Sequence, residues 1–276
     1  MSALEHPAYG LLRPVTETAS VLLCDNPGLM TLDGTNTWVL QGPGSNEMVV
    51  VDPGPDDDPG SVNEDGHLER LAALGPIPLV LISHRHCDHT GGIDRIVELT
   101  GAVVRSAGSG FLRGIGGPLT DGEVIDAAGL RITVMATPGH TADSVSFLVD
   151  DVGEKGSDGE AAVLTADTIL GRGTTVIDRE DGDLGDYLET LHRLRGLGHH
   201  TVLPGHGAEL DDIAAVSETY LAHRHERLSQ VRAALCELGE GASVREVVEH
   251  VYTDVDEKLW DVAEWSVQAQ LDYLRR

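Results

Sequence analysis

The sequence predicts an α/β fold over residues 1–212 and a helical segment over residues 213–276. Short runs of β-branched and other apolar residues recur along the first part, and most end in Asp, Gly, Pro or His. Such runs are typical of buried strands that lead into loops. From Ile213 onward the runs stop, whereas apolar residues continue at helical spacing. Strands with helices between them indicate stacked α/β layers.

Local patterns predict the individual elements. Apolar residues at helical spacing predict helices over 92–99 and 187–194, and Gly196 with Gly198 stops the second. Ser243 and Glu246 form a capping box that begins a helix in the C-terminal segment. The runs that predict strands are 37–40, 48–51, 79–82, 102–104, 132–134, 145–149, 162–164 and 201–203.

Length and cysteine content limit the class of protein. A chain of 276 residues can bury a full core without disulfides. The cysteines are odd in number and widely spaced: Cys24, Cys87 and Cys236. A disulfide framework is therefore not expected, and a reducing compartment is. Residues 1–14 lack the basic and then apolar character of a signal peptide, and no apolar run approaches membrane-spanning length. We therefore expect a cytoplasmic protein without a membrane partner.

The charge balance bears on the substrate. Forty-six acidic and nineteen basic residues give a formal net charge of −27, which disfavours attraction to a phosphate backbone. Aromatic residues, which would stack on bases, are only 4% of the chain. A small-molecule substrate is therefore expected rather than RNA, and the sequence leaves the oligomeric state open.

Residues 84–89, His-Arg-His-Cys-Asp-His, are an unusually dense set of metal-binding side chains. The predicted strand 79–82 precedes them and Thr90-Gly91-Gly92 follows, so they lie where a strand ends and a helix begins. His84 and His86 alternate on extended backbone and can point to one side, while Asp88 and His89 can address a second ion. Further candidates stand at predicted strand ends: His140, Asp167 and His206.

These residues fall into five motifs that resemble those of the metallo-β-lactamase-fold hydrolase superfamily. In chain order the motifs are Asp52 within residues 50–54, residues 84–89, His140, Asp167 and His206. The resemblance covers roughly residues 20–210. It implies a four-layer αβ/βα sandwich as the catalytic domain over residues 1–212. Residues 213–276 would form a small, helical, winged-helix-like subdomain.

The resemblance also implies a role for each candidate ligand. His84, His86 and His140 would hold one ion, and Asp88, His89 and His206 a second. Asp167 would bridge the two, and Asp52 would support the ligands without binding metal. Two zinc ions are implied, with iron or manganese as alternatives. A shared hydroxide would be the nucleophile, oriented by Asp88 as the catalytic residue.

Particular residues indicate which branch of the superfamily the chain resembles. Asp167 argues against antibiotic-hydrolysing enzymes, which generally have cysteine or serine there, and His86 argues against the oxygen-reducing di-iron branch, which has glutamate. Residues 33–38, 167–176 and 220–224 resemble the branch that includes β-lactamase-like protein 2 endoribonucleases and fungal polyketide thioesterases.

Four residues outside the ligand set are candidates for lining the substrate cleft: Asp33, Arg172, Thr174 and His223. Alternatively, the first three only shape their loops. His223, together with Arg224, could instead tie the C-terminal subdomain down through hydrogen bonds.

Cys87 is interpreted as a small filler residue, with a redox-sensitive thiol as the alternative. The histidines expected to be solvated are His6, His67, His192, His199, His200 and His250.

The function that follows is a binuclear metal-dependent hydrolase of a small acyl ester or thioester. A single-strand endoribonuclease of the β-lactamase-like protein 2 type is the alternative. Further alternatives are lactam hydrolysis as a side activity, a mononuclear iron persulfide dioxygenase and a non-catalytic metal-binding interaction module. A complete ligand set argues against the last of these.

Overall fold

The fold comes from a computed structural model that describes residues 8–56, 66–151, 161–253 and 256–276. His6, one of the histidines expected to be solvated, lies outside these residues. The described residues divide into two compact units. The first lies within Met1–Ala136, Asp143–Gly173 and His200–Asp211. The second lies within Thr137–Ala142, Thr174–His199 and Asp212–Arg276.

Two β-sheets form the centre of the first unit. One sheet has six strands in the order β1-β2-β3-β4-β5-β6, in which β4, β5 and β6 run parallel. These strands are β1 (Leu12–Pro14), β2 (Ala19–Leu23), β3 (Asn36–Leu40), β4 (Val49–Val51), β5 (Leu79–Leu81) and β6 (Val103–Arg105). The other sheet has the order β11-β10-β9-β8-β7, with only β10 and β11 parallel. Its strands are β7 (Val124–Ala127), β8 (Leu130–Ala136), β9 (Val145–Asp151), β10 (Ala162–Ala166) and β11 (Thr201–Pro204).

Strand β4 of the first sheet is buried on both faces. Val49 and Val51 of β4 join the apolar core between the two sheets, which also contains Phe147 from β9. Val50 points the other way, as the alternation of a strand requires, into a second core that contains Ile96. A strand that is covered on both faces has a continuous run of apolar residues, and such a run in β4 made this strand easy to predict from the sequence.

Three helices of the first unit accompany the first sheet: α1 (His67–Ala73), α2 (Cys87–Thr90) and α3 (Ile93–Thr100). Leu68 and Leu71 of α1 and Ile96 of α3 supply the helical side of the second core. Helix α3 ends at Gly101, whose φ of 73° is the left-handed conformation that glycine adopts readily. Helix α2 has a single turn, and it carries two of the predicted metal ligands.

The second unit is helical: α4 (Leu184–Arg195), α5 (Ile213–Leu238), α6 (Val244–Val251) and α7 (Trp260–Leu274). The capping box predicted at Ser243 and Glu246 is present at the start of α6. Val231, Val247 and Val267 share one apolar core in this unit. Buried Arg224 of α5 donates a hydrogen bond to the carbonyl oxygen of Thr175, so it ties the helix to that loop.

The predicted α/β sandwich and helical C-terminal segment are confirmed. Three strands, β1, β2 and β7, were not predicted from the sequence. All three residues of β1 are exposed, and exposed residues alternate with half-buried ones along β7, so neither carries a strong apolar signal. The proposed domain boundary at residue 212 stays a prediction, although α5 begins at Ile213. None of the described helices combines the length and apolar character needed to cross a membrane.

Candidate metal centre

Strand ends of the first unit converge on one buried group of histidines and carboxylates. Asp52 directly follows β4, and His84 comes shortly after β5. Asp167 directly follows β10, and His206 comes shortly after β11. Asp52 has a φ of 54° and Ala166, which precedes Asp167, a φ of 46°. These left-handed conformations cost free energy in residues with a Cβ, and such strain concentrates at functional sites.

Four donor atoms form the first part of the site. The Nε2 atoms of His89 and His206 lie 3.3 Å apart. Asp88 Oδ2 lies 3.2 Å from His206 Nε2 and 3.7 Å from His89 Nε2. Asp167 Oδ1 lies 3.4 Å from each of the two Nε2 atoms. Both histidines are fully buried, whereas the Asp88 side chain is 23% exposed, so the site is open to solvent on the side of this carboxylate.

The spacing of these donors fits a metal ion. Nitrogen and oxygen donors bound tetrahedrally at about 2.0–2.2 Å lie about 3.3–3.6 Å from one another. The distances above, 3.2 to 3.7 Å, are close to that range. Two imidazole nitrogens at 3.3 Å can share at most one proton, whereas both can bind the same cation.

Gly205 leaves the space that this arrangement needs. A Cβ atom at residue 205 would lie 2.6 Å from Asp167 Oδ1 and 2.9 Å from His89 Cε1. Glycine is therefore required for the carboxylate and the imidazole to keep their positions.

A second group of donors lies beside the first. His84 Nε2 is 3.0 Å from His86 Nδ1 and 3.9 Å from Asp167 Oδ2. The ligand atoms of His84, His86 and Asp167 all lie within 4.8 Å of one another. Asp167 thus turns one oxygen to each group of histidines, which is the geometry of a bridging ligand.

His140, the remaining predicted ligand, belongs to the second unit. Its side chain is buried, and its Nδ1 lies 2.6 Å from the carbonyl oxygen of Val176. Because a carbonyl can only accept, Nδ1 carries the proton, and Nε2 is left with a lone pair that could bind a metal.

Hydrogen bonds orient His84, His89 and His206 in the same way. Asp52 Oδ2 accepts from His89 Nδ1 at 2.8 Å and from Ser83 Oγ at 2.6 Å. Ser83 Oγ in turn lies 2.9 Å from His84 Nδ1. His206 Nδ1 donates to the carbonyl oxygen of Gly34 at 3.1 Å. Each bond directs the Nε2 atom of its histidine toward the donor groups described above.

The carboxylates make this site favourable for positive charge. Burial by itself would lower the pKa of His206, but the charge of Asp167 outweighs burial and raises the pKa to about 9. Burial opposes ionisation of Asp167, yet His206 and His89 hold its pKa well below the ordinary value. A site that stabilises protonated histidines in this way also favours a bound cation.

The four residues predicted to line the cleft differ in burial and in their contacts. Arg172 forms a bidentate ion pair with Asp33, with Nη1 to Oδ2 at 2.5 Å and Nη2 to Oδ1 at 3.0 Å. Thr174 is exposed and His223 is half-buried, and both belong to the second unit. Burial lowers the pKa of His223, with Arg224 contributing further.

Two expectations were wrong. His67 is half-buried rather than solvated: its Nε2 lies 2.9 Å from Thr37 Oγ1, and burial lowers its pKa to about 4. Cys87 is exposed and so fills no space in a core. His192, His199 and His250 are exposed as expected, whereas His200 is half-buried. The Asn36 side chain, which was not predicted to take part in the site, donates hydrogen bonds to the carbonyl oxygens of Pro204 and Gly207, on either side of His206.

Two family models match the chain. The model of the metallo-beta-lactamase superfamily matches residues 30–206, which is more than half of the chain. The model of the beta-lactamase associated winged helix domain matches residues 243–276. The second match covers α6 and α7 of the helical unit.

Individual proteins resemble the chain over most of its length. The beta-lactamase-like protein 2 homolog of Caenorhabditis elegans is 30% identical over 256 residues, covering 88% of this chain and 79% of that protein. The atrochrysone carboxyl ACP thioesterase of Aspergillus fumigatus is 32% identical over 222 residues, covering 78% of this chain and 64% of that protein. A metallo-beta-lactamase family protein from Thermus thermophilus has the same fold, with a TM-score of 0.72 at 24% identity over 94% of this chain and 93% of that one. The motifs, the two sheets and the family matches together show that this chain belongs to the metallo-β-lactamase superfamily.

Proposed function

We propose that this protein is a hydrolase of small acyl esters or thioesters that uses two zinc ions, with iron or manganese as alternatives. One observation carries the proposal: Asp167 directs Oδ1 to His89 and His206, each at 3.4 Å, and Oδ2 to His84 at 3.9 Å. A carboxylate shared between two groups of histidines is the arrangement that a two-metal hydrolytic centre needs.

The proposal assigns each ligand to an ion. Asp88, His89 and His206 would hold one ion. His84 and His86 would hold the other, and we propose His140 as its third histidine. Asp167 would bind both. When bound, such an ion pair supplies a deprotonated water as nucleophile and stabilises charge on the leaving group.

The protein's own residues prepare this chemistry. Burial opposes ionisation of Asp88, but its hydrogen bond with His206 and the charge of His89 lower its pKa. Asp88 is therefore a carboxylate at neutral pH, able to accept a hydrogen bond from water and orient it. In the hydrolysis of a thioester, a carbon–oxygen bond forms, the carbon–sulfur bond breaks, and the products are a carboxylic acid and a thiol.

Charge and relatedness support the substrate class. A net charge of −27 disfavours long polyanions such as RNA, and a small neutral acyl compound is not subject to that repulsion. The Aspergillus fumigatus relative is named a thioesterase. A small-molecule partner is therefore proposed.

The direct test is metal analysis combined with a substrate panel of acyl thioesters, acyl esters, a β-lactam and unstructured RNA. We expect close to two metal ions per chain and cleavage of acyl compounds. Asp167→Ala should lower the rate at least about a hundredfold, because both ions lose a ligand. The matched control is Asp126→Ala, which removes a 69% exposed carboxylate on β7 and should leave the rate unchanged.

Other results would contradict parts of this proposal. Cleavage confined to RNA would overturn the substrate class and leave the metal centre intact. A single iron per chain with oxygenation of persulfides would overturn the chemistry itself. Stoichiometric metal without any turnover of the panel would support an interaction module instead.

Asp33, Arg172, Thr174 and His223 are proposed to line the substrate cleft. Arg172 is the most direct to test, because its side chain is 56% exposed and its ion-pair partner among the described residues is the half-buried Asp33. Arg172→Gln should raise KM several-fold with little change in kcat. Arg131→Gln removes an equally exposed, paired arginine and is the control. Equal effects of the two substitutions would contradict a role in the cleft.

A further inference from the structure

Asn36, the first residue of β3, spans the turn that carries His206. The side chain is 5% exposed. Its Nδ2 donates hydrogen bonds to the carbonyl oxygens of Pro204 at 3.0 Å and Gly207 at 2.8 Å. These two carbonyls lie on either side of His206 in the sequence. A single amide nitrogen thus uses both of its hydrogens to hold the two ends of the turn.

The backbone around Asn36 completes the attachment. The Asn36 backbone N–H donates to the carbonyl oxygen of Gly205 at 2.8 Å, and Thr35 forms a β-bridge with His206. The carbonyl oxygen of Gly34 accepts from His206 Nδ1 at 3.1 Å. Residues 34–36 therefore set the position of the His206 backbone and the direction of its ring together.

His84 and His89 are oriented by contacts of their own, whereas Asp167 packs beside the same turn at Gly205. Ser83 contacts His84, and Asp52 contacts His89. None of the hydrogen bonds described for Asn36 reaches residues 84–89. A change at Asn36 should accordingly act on His206 alone among the histidine ligands.

We propose that Asn36 is a positioning residue for His206, and that it sets the affinity of the metal site formed by Asp88, His89 and His206. This inference rests on the proposed function, in which those residues hold one of two ions. Replacing a residue that orients a ligating histidine commonly weakens metal binding ten- to a hundredfold, because a misplaced imidazole binds the metal weakly. An amide is required here, since an aspartate of the same shape would place a charged oxygen against two carbonyl oxygens.

The test is a metal titration without substrate on the full chain. Zinc binding to Asn36→Asp and Asn36→Ala is measured by chelator competition, and the absorption spectrum of the cobalt-loaded protein is recorded. We expect one of the two metal equivalents to bind about ten- to a hundredfold more weakly. The other equivalent should stay within about twofold of the wild type, and the cobalt spectrum should lose the contribution of one ion.

Trp38→Phe is the matched control. Trp38 is a buried residue of the same strand, and its Nε1 donates to the carbonyl oxygen of Pro204 at 3.0 Å. The substitution removes one hydrogen bond to the same turn and keeps Asn36. We expect both metal equivalents to bind Trp38→Phe as they bind the wild type.

The positioning role would be overturned if the Asn36 variants bound both metal equivalents equally weakly or bound both as the wild type does. It would also be overturned if Trp38→Phe gave the same result as the Asn36 variants. If Asn36→Asp fails to fold, Asn36→Ala decides, because it introduces no charge. A wild-type chain that binds no metal would overturn the proposed function together with this inference. If the wild type binds two metal ions tightly and the Asn36 variants bind both equally well, the inference is overturned and the proposed function stands.

Discussion

The carboxylate of Asp52 accepts a hydrogen bond from His89 Nδ1 at 2.8 Å, and both side chains are buried. The same carboxylate receives the backbone N–H and the hydroxyl of Ser83, at 2.8 and 2.6 Å. Three donors thus converge on one side chain that is not itself among the proposed ligands. Asp52 fixes the orientation of His89 and, through Ser83, that of His84.

Asp52→Asn should weaken zinc binding about ten- to a hundredfold, because an amide NH₂ would face groups that are already donors. The unfolding free energy of the metal-free protein should fall by about 3 kcal/mol, the usual cost of breaking a buried charged pair. Chelator competition and urea denaturation measure the two effects. Zinc binding equal to that of the wild type would show that His89 does not need this hydrogen bond.

Gly205→Ala should lower metal affinity at least about tenfold, since its Cβ would come within 2.6 Å of Asp167 Oδ1 and displace that carboxylate. Metal content after dialysis against buffered zinc is the measurement. Gly110→Ala is the control, because a Cβ there meets nothing within 4 Å. Full metal content in Gly205→Ala would contradict the tight packing of the ligands around residue 205.

His67 predicts a pH dependence of stability. Its pKa is lowered to about 4, chiefly by burial, so the unfolded chain binds this proton more readily than the folded one. The stability contributed by neutral His67 is present above pH 6.5 and is lost as pH falls from 6.5 toward 4. The loss should approach about 3 kcal/mol.

His67→Gln should remove this part of the acid destabilisation. Urea denaturation of both proteins between about pH 8 and pH 4 gives the difference. His192→Gln, at an exposed position on α4, should keep the wild-type profile. Parallel profiles for the wild type and His67→Gln would mean that the ring is accessible to water.

Ser217 offers a stabilising substitution. Its hydroxyl is fully buried in α5 and has no hydrogen-bond partner among the residues that the structure describes. Ser217→Ala should raise the unfolding free energy by about 1 kcal/mol, because an unsatisfied buried hydroxyl is costly. Ser229→Ala, at an exposed position of the same helix, measures the gain from helix propensity alone. A less stable Ser217→Ala variant would show that the hydroxyl is hydrogen-bonded.

The densest part of the site was predictable from the sequence because its residues are close in the chain. Residues 84–89 follow a strand and enter a helix within six positions, so their grouping does not depend on the rest of the fold. Asp167 and His206 followed from motifs at predicted strand ends. The assignment of all seven residues as metal ligands stays a prediction.

Contacts between distant parts of the chain could not be predicted in the same way. Asn36 stands in a recognisable stretch, yet its partners lie 168 and 171 residues away, and no local pattern indicates them. Asp33 and Arg172 were each predicted to line a cleft, but their mutual ion pair joins residues 139 positions apart. A histidine that begins a helix, such as His67, looks like a solvated residue until its neighbours are known.

In the proposed function, Asp167 joins two metal ions. A crystal structure of the zinc-loaded protein, with anomalous diffraction recorded at the zinc edge, would locate both ions relative to this carboxylate. We predict two peaks about 3.5–4 Å apart, one beside His84 and His86 and one beside Asp88, His89 and His206, with Asp167 between them. A single peak, or two peaks without Asp167 between them, would rule out a bridging role for Asp167.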